Sequence, residues 1–135
     1  YQRWQIFAQI AGFDLSLAKL FESHFDALSI LHELGYEKEI DEETWAVWAA
    51  DGGPAPLQVK NGLCHGVKQW CSGAELIHKA LISFKDQQGK SQLCIIDLNP
   101  SSISIDSAHW QAVGMQGTQT ARVNFQETAV EFVFI

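Results

Sequence analysis

The chain has 135 residues, 47% of them apolar, and carries 9 basic against 16 acidic residues for a formal net charge of −7. This length suits one domain, or one small domain with an appendage, which needs no disulfide or metal staple. The acidic balance argues against nucleic acid or an anionic membrane as partner, because both require clustered basic residues. Three cysteines without framework spacing favour a reducing, cytoplasmic setting, and no apolar run approaches the roughly 20 residues of a membrane span.

The first part of the chain has the apolar spacing of helices. A first short helix has three apolar residues on one face: Ile6, Ile10 and Phe13. Asp14 can cap a second helix, in which apolar residues recur every three or four positions until Gly35 provides a stop. The acidic stretch 37–43 is interpreted as a solvated connection. Residues 1–44 are therefore predicted to form a helical segment.

Residues 45–135 change to the pattern of short strands separated by turns. The predicted strands are rich in β-branched and aromatic residues: Trp45–Trp48, Leu57–Val59, Leu63–Val67, Lys79–Phe84, Leu93–Leu98, Ile103–Ile105 and Ala121–Phe125. The turns contain Gly52-Gly53-Pro54, Gln88-Gly89 and Asn99-Pro100, and Asn61-Gly62 is the strongest hairpin signal. Many short strands at near-regular intervals predict an antiparallel barrel or sandwich. The predicted fold class is α+β, with a helical segment followed by a β domain.

Searches for conventional catalytic motifs find none. The chain lacks a Gly-x-Gly-x-x-Gly, a phosphate loop, a Gly-x-Ser-x-Gly and a His-Glu-x-x-His. Cys64, His65, Cys71 and His78 do not have the spacing of a recognised zinc site, so no metal site is predicted. Cys71 is interpreted as a semi-buried thiol in preference to a nucleophile, and His24 as a core histidine with a satisfied ring nitrogen. No catalytic residue is predicted.

The most informative segment is Gly66-Val67-Lys68-Gln69-Trp70-Cys71-Ser72-Gly73-Ala74. On an extended strand, Trp70 and Ser72 lie on the same side, because side chains alternate with a period of two. A flat aromatic ring beside a short hydroxyl suits a planar ligand with a polar edge. The competing interpretation is a core tryptophan followed by a serine in a turn.

Three stretches together resemble the acyl-CoA dehydrogenase family of flavoproteins. They are residues 11–24 (AGFDLSLAKLFESH), residues 66–74, and Gly114-Met115-Gln116-Gly117-Thr118-Gln119-Thr120 followed by Val123-Asn124-Phe125. Their motifs, order and separation are similar to the N-terminal helical end and the middle β domain of that family, across nearly the whole chain. The resemblance implies a β domain like the family's middle domain, with FAD as cofactor.

The resemblance also implies individual cofactor contacts. Trp70 would pack on the isoalloxazine, and Ser72 would hydrogen-bond near flavin N5, where a hydroxyl donor stabilises the electron density of the reduced ring. Cys71 lies between these two residues and is included in the cofactor site. Backbone groups of Ala49 and Ala50 would contact the pyrimidine end of the ring. The family's Thr-Glu-Pro-Gly-x-Gly-Ser-Asp is replaced here by Trp-Ala-Ala-Asp-Gly-Gly-Pro-Ala-Pro, which lacks the serine that often contacts CoA.

In that family, hydride passes from an acyl thioester to flavin N5 while a carboxylate removes the α proton. The carboxylate comes from a C-terminal helical bundle, and no residue here corresponds to it. The chain, which begins at Tyr1 and ends on an apolar run, is therefore predicted to be the flavin-contacting piece of a longer oxidoreductase. An acyl-CoA-like substrate and a homo-oligomer are the implied partners. Two alternatives remain: a non-catalytic scaffold or ligand-binding β domain derived from the family, and an unrelated small barrel that binds an apolar ligand.

Overall fold

A computed structural model describes residues 2–38, 42–53, 55–99 and 101–134. The centre of the acidic connection, the two turn prolines and Ile135 lie outside these ranges. The described elements are α1 (Gln2–Phe13), α2 (Leu15–Glu33), β1 (Trp45–Trp48), β2 (Gln58–Lys60), β3 (Leu63–Cys71), β4 (Lys79–Lys85), β5 (Ser91–Asp97), β6 (Ile103–Asp106), β7 (Ala121–Ala129) and β8 (Phe132–Phe134). Two single 3-10 turns lie between β6 and β7. The predicted α+β class, with helices followed by a β domain, is confirmed.

The second helix begins and ends where its capping residues predict. The side chain of Asp14 accepts a hydrogen bond from the backbone N–H of Leu17 at 2.8 Å, which satisfies one free donor of the first turn. At the other end Gly35 has a φ of 70°, and the N–H of Tyr36 donates to the carbonyl of Leu31 at 3.0 Å. This is the hydrogen bond of a glycine-terminated helix. Neither helix combines the length and the hydropathy that crossing a bilayer requires.

The first helix contributes no side chain to a core. Ile6 is 53% exposed and Phe13 is 87% exposed, whereas Ile10 is half-buried, so most of the apolar stripe predicted for α1 faces outward. Polar bonds help to hold α1 on α2, where the guanidinium of Arg3 pairs with Asp26 and donates to Ser29. The sequence predicted the helix, and the structure shows where its apolar residues face.

The β domain consists of two four-stranded sheets, ordered β1-β4-β5-β8 and β2-β3-β7-β6. Within the described residues the sheets do not close into a barrel, so that part of the prediction is wrong and the sandwich alternative holds. The pairing is also mixed, because β1 lies parallel to β4 whereas the other strand pairs are antiparallel. The edge of β1 is covered by a helix: the N–H groups of Trp45 and Val47 donate to His24 Nδ1 at 3.1 Å and Ser23 Oγ at 3.0 Å.

Two apolar clusters divide the molecule into three layers. One fills the space between the sheets and includes Trp48, Ile82 and Phe125. The other joins α2 to the outer face of the first sheet, where Leu31 meets Leu81. Successive residues of β4 thus enter different clusters, as strand alternation requires. The predicted hairpin is confirmed, since β2 and β3 are joined by two residues with positive φ, of 52° and 75°.

Candidate functional site

The three stretches that carry the family resemblance meet at one place. A Cβ added to Gly73 would lie 3.0 Å from Leu20 Cδ2, and one added to Gly117 would lie 3.1 Å from Ser16 Cβ. The N–H of Gly73 donates to the carbonyl of Thr118 at 2.8 Å. The start of α2, the end of β3 and the segment before β7 are therefore packed together, and the close approaches explain why two of the contact positions are glycines.

Trp70 lies on a β-bulge and is exposed. The β3–β7 register shifts between Lys68 and Cys71, and Trp70 has a φ of 56°, which costs a non-glycine residue about 1–2 kcal/mol. Its side chain is 57% exposed, and its ring is near Gly52, where an added Cβ would lie 3.8 Å away. An exposed indole on strained backbone is typical of a binding position. It is not the core tryptophan of the competing interpretation.

Because of the bulge, the strand alternation that predicted Trp70 and Ser72 on the same side does not describe their arrangement. Period-two alternation does not apply, because Trp70 has left the extended conformation and Ser72 follows the last residue of β3. The backbone of Ser72 is fixed instead by Trp48, whose indole Nε1 donates to the Ser72 carbonyl at 3.1 Å.

The Ser72 hydroxyl is the partly exposed end of a chain of hydroxyl groups. Its Oγ lies 3.3 Å from Thr120 Oγ1, which lies 2.7 Å from Thr118 Oγ1. Thr118 in turn donates to the carbonyl of Met115 at 2.8 Å. Both threonines are buried. In the sequence these threonines were noted only as part of the third motif, with no role of their own. Their spacing of two residues could have indicated that two hydroxyls lie on one side of the backbone.

Cys71 presents no side chain to a ligand. It is fully buried, its Sγ donates to the carbonyl of Lys68 at 3.4 Å, and burial raises the pKa of the thiol to about 12. Burial also raises the pKa values of Cys64 and Cys94 to about 12. The thiols are therefore protonated and unreactive at neutral pH, which favours the structural interpretation of Cys71. Contact between Cys71 and a cofactor would have to use its backbone.

A buried lysine holds the segment that contains Ala49 and Ala50. Both alanines are exposed after β1, and the Ala49 carbonyl accepts from Ser83 Oγ at 2.9 Å. Lys68 Nζ donates to the Ser83 carbonyl at 2.6 Å and lies 3.6 Å from Asp51. Lys68 is only 4% exposed, and burial lowers its pKa although Asp51 opposes this effect. The sequence analysis assigned no role to Lys68, although a lysine within a predicted core strand indicates a buried charge that needs polar partners.

Two of the histidines, His24 and His78, have structural partners. His24 Nδ1 accepts from the N–H of Trp45, and burial lowers its pKa, so the prediction of a satisfied histidine is confirmed. His78 Nδ1 accepts from the N–H of Thr44 at 3.0 Å. Among the residues that the structure describes, no three histidine, cysteine or acidic side chains are arranged to hold a metal ion.

An apolar cleft of about 390 Å³ adjoins the point where the motifs meet. It lies between α2, the start of β1 and the turn that joins β3 to β4, and Leu20, which approaches Gly73, forms part of its wall. The remaining lining residues are Leu17, Phe21, His24, Phe25, Thr44, Trp45, Leu76 and Ile77. The cleft is large enough for a small apolar group.

Solved structures share this architecture. The chain is similar to dibenzothiophene monooxygenase from Paenibacillus sp. A11-2 in complex with FMN and indole, with a TM-score of 0.75, 19% identity and coverage of 92% of this chain and 36% of the other. It is also similar to methanesulfinate monooxygenase from Pseudomonas fluorescens, with a TM-score of 0.70, 20% identity and coverage of 94% of this chain and 36% of the other. For nitrososynthase from Micromonospora carbonacea var. africana the TM-score is 0.72 and the identity 16%, with coverage of 95% of this chain and 39% of the other. Neither models of known protein families nor curated protein sequences give a match.

These likenesses establish the fold. The chain has the architecture of the helical end and β domain of acyl-CoA dehydrogenase-like proteins, as the sequence resemblance implied. It spans 36% to 39% of the length of the three neighbours compared.

Proposed function

We propose that this chain supplies the flavin-contacting surface of an oxidoreductase. The observation that carries the proposal is the convergence of three distant motifs on one surface, where an exposed indole on a strained bulge lies two residues from a partly exposed hydroxyl. A stable fold does not need an exposed tryptophan with positive φ, so this arrangement favours a ligand that stacks on the ring. The oxidoreductases among the solved neighbours, one of them bound to FMN, support the cofactor class.

The residues present fit a flavin. Trp70 would cover one face of the ring and exclude water, while Ser72 would face a polar edge near N5. Gly52 lacks a side chain beside the Trp70 ring, so a flat ring can approach the loop there, whereas the space beside Gly53 is filled by the side chain of Gln69. Ala49 and Ala50 would contribute backbone groups at the pyrimidine end. When bound, the flavin supplies the acceptor or donor of electrons.

The class of reaction is a finer proposal. The family resemblance implies α,β-dehydrogenation of an acyl thioester, with FAD as cofactor. The names of the solved neighbours instead favour insertion of oxygen by a reduced flavin, with FMN as one cofactor. The altered 49–56 loop, which lacks the family's CoA-contacting serine, supports the second reaction. The apolar cleft beside Gly73 suits the apolar part of either substrate.

Titration of the purified protein with FAD and with FMN, followed by flavin fluorescence, tests the proposal. We expect binding that Trp70→Ala weakens by at least about fivefold, because aromatic pairs contribute about 1 kcal/mol beyond their buried area. The matched control is Trp4→Ala, because Trp4 is also exposed, at 70%, but lies on α1. No residue here corresponds to the carboxylate that dehydrogenation requires, so oxygen consumption by the reduced, flavin-loaded protein is the measurement that tests the second reaction.

The absence of binding to either flavin would overturn the proposal and favour the scaffold alternative. Equal loss of affinity in the two tryptophan variants would also contradict it, because the effect would then be unrelated to the site. The buried thiols suit the proposed cytoplasmic setting, and an acyl-type substrate and a homo-oligomer belong to the same proposal.

A further inference from the structure

Three hydroxyl groups and one carbonyl form a hydrogen-bonded chain. Because each hydroxyl has one proton, counting the protons shows which group donates at each contact. A carbonyl can only accept, so the hydroxyl of Thr118 donates its proton to the carbonyl of Met115. The 2.7 Å contact between the threonines must then use the proton of Thr120. Thr120 has no second proton, so the 3.3 Å contact with Ser72 uses the proton of Ser72. Only this direction makes every contact of the chain a hydrogen bond.

We propose that Thr118 and Thr120 hold Ser72 as a hydrogen-bond acceptor toward the flavin, so that the site favours the reduced ring. In the oxidised ring N5 carries a lone pair and needs a donor, whereas in the reduced ring N5 carries a hydrogen and needs an acceptor. With its proton directed at Thr120, Ser72 offers oxygen lone pairs to the exposed side. This inference rests on the proposed function and reverses the donor role that the family resemblance implied for Ser72.

Burial makes the direction of the chain stable. Thr118 is 2% exposed and Thr120 is 6% exposed, so water does not readily replace a lost partner. If Ser72 turned its proton outward, the chain would lose one hydrogen bond, worth about a fivefold change in an equilibrium constant. The two threonines are thus positioning residues, and Ser72 is the group that meets the ligand.

The test is the ratio of the dissociation constants for oxidised and reduced flavin, measured anaerobically for the reduced form. We expect the wild type to bind reduced flavin more tightly. Thr120→Val removes the acceptor for the Ser72 proton and should lower this preference about fivefold, whereas Thr120→Ser should retain it. The matched control is Thr128→Val, because Thr128 is also buried, but it lies within β7, whereas Thr120 precedes that strand, and its hydroxyl bonds to Ser102.

Several outcomes overturn the inference. A ratio that stays within about twofold of wild type in Thr120→Val does so, as does an equal shift in Thr128→Val. If Thr120→Val does not fold, Ser72→Ala replaces it: loss of the preference supports the inference, and an unchanged ratio overturns it. Absence of flavin binding in the wild type overturns the proposed function together with the inference, whereas tight binding with an unaffected ratio overturns the inference alone.

Discussion

Gly66 is the position where the structure predicts the largest effect of one added carbon atom. Its φ is 114°, and a Cβ at this position would lie 2.7 Å from the carbonyl oxygen of Pro56. That carbonyl is part of a loop that also bonds to β3, since the N–H of Val67 donates to Ala55 at 2.9 Å. The obstacle is thus backbone, which cannot turn aside as a flexible side chain could.

The expected destabilisation by Gly66→Ala combines two effects. Holding alanine at this φ costs roughly 1–3 kcal/mol, and relieving the contact with the loop costs roughly another 1–3 kcal/mol. The free energy of unfolding should therefore fall by roughly 2–6 kcal/mol. Because the loop leads back to Ala49 and Ala50, we also expect weaker flavin binding where folding is retained.

Two other glycines separate the contributions in urea unfolding experiments. Gly89→Ala isolates the backbone cost, because φ is 78° and nothing lies within 4 Å of the added Cβ, and should destabilise by about 1–2 kcal/mol. Gly12→Ala lies in α1 with open space around it and should stabilise by about 0.5–1 kcal/mol. If Gly66→Ala costs no more than Gly89→Ala, the argument from the close carbonyl is wrong.

Two further predictions concern titratable groups. The thiols of Cys64, Cys71 and Cys94 should not react with iodoacetamide at pH 8 in the folded protein but should react in urea, because burial raises their pKa values to about 12; rapid labelling of the native protein would contradict this. Burial lowers the pKa of His24 below 6.5, so between its folded value and 6.5 the unfolded chain binds more protons. Unfolding free energy should fall as pH drops below 6.5, and His24→Gln, which can still accept from Trp45, should flatten that change; an unchanged profile would refute the assignment.

Local sequence predicted the elements of this fold well. The Asp14 cap, the Gly35 stop and the Asn61-Gly62 hairpin depend on residues within a few positions of one another, so their physical causes are visible in the sequence. Strand periodicity also placed β1 to β7, whereas β8 was not among the predicted strands. The boundaries differed where tertiary pairing extended a strand, as in β3, which runs to Cys71.

The site was only partly predictable. The exposed indole and nearby hydroxyl were identified in the sequence, but the bulge that presents Trp70 depends on a register shift against β7, far along the chain. Lys68 and the Thr118–Thr120 pair were missed because their roles come from partners that only folding brings near: Ser83 for the lysine and Ser72 for the threonines.

The sequence by itself therefore determined the helices, the turns, the approximate positions of β1 to β7 and the three motifs, since each reflects local backbone preference or side-chain periodicity. Only the tertiary structure decided that the sheets stay open over the described residues, that β1 runs parallel to β4, and that the motifs form one surface. These outcomes depend on which distant strands and helices bury one another's apolar faces. They also depend on which distant residues provide hydrogen-bond partners for buried polar groups, and a local sequence pattern does not specify those partners.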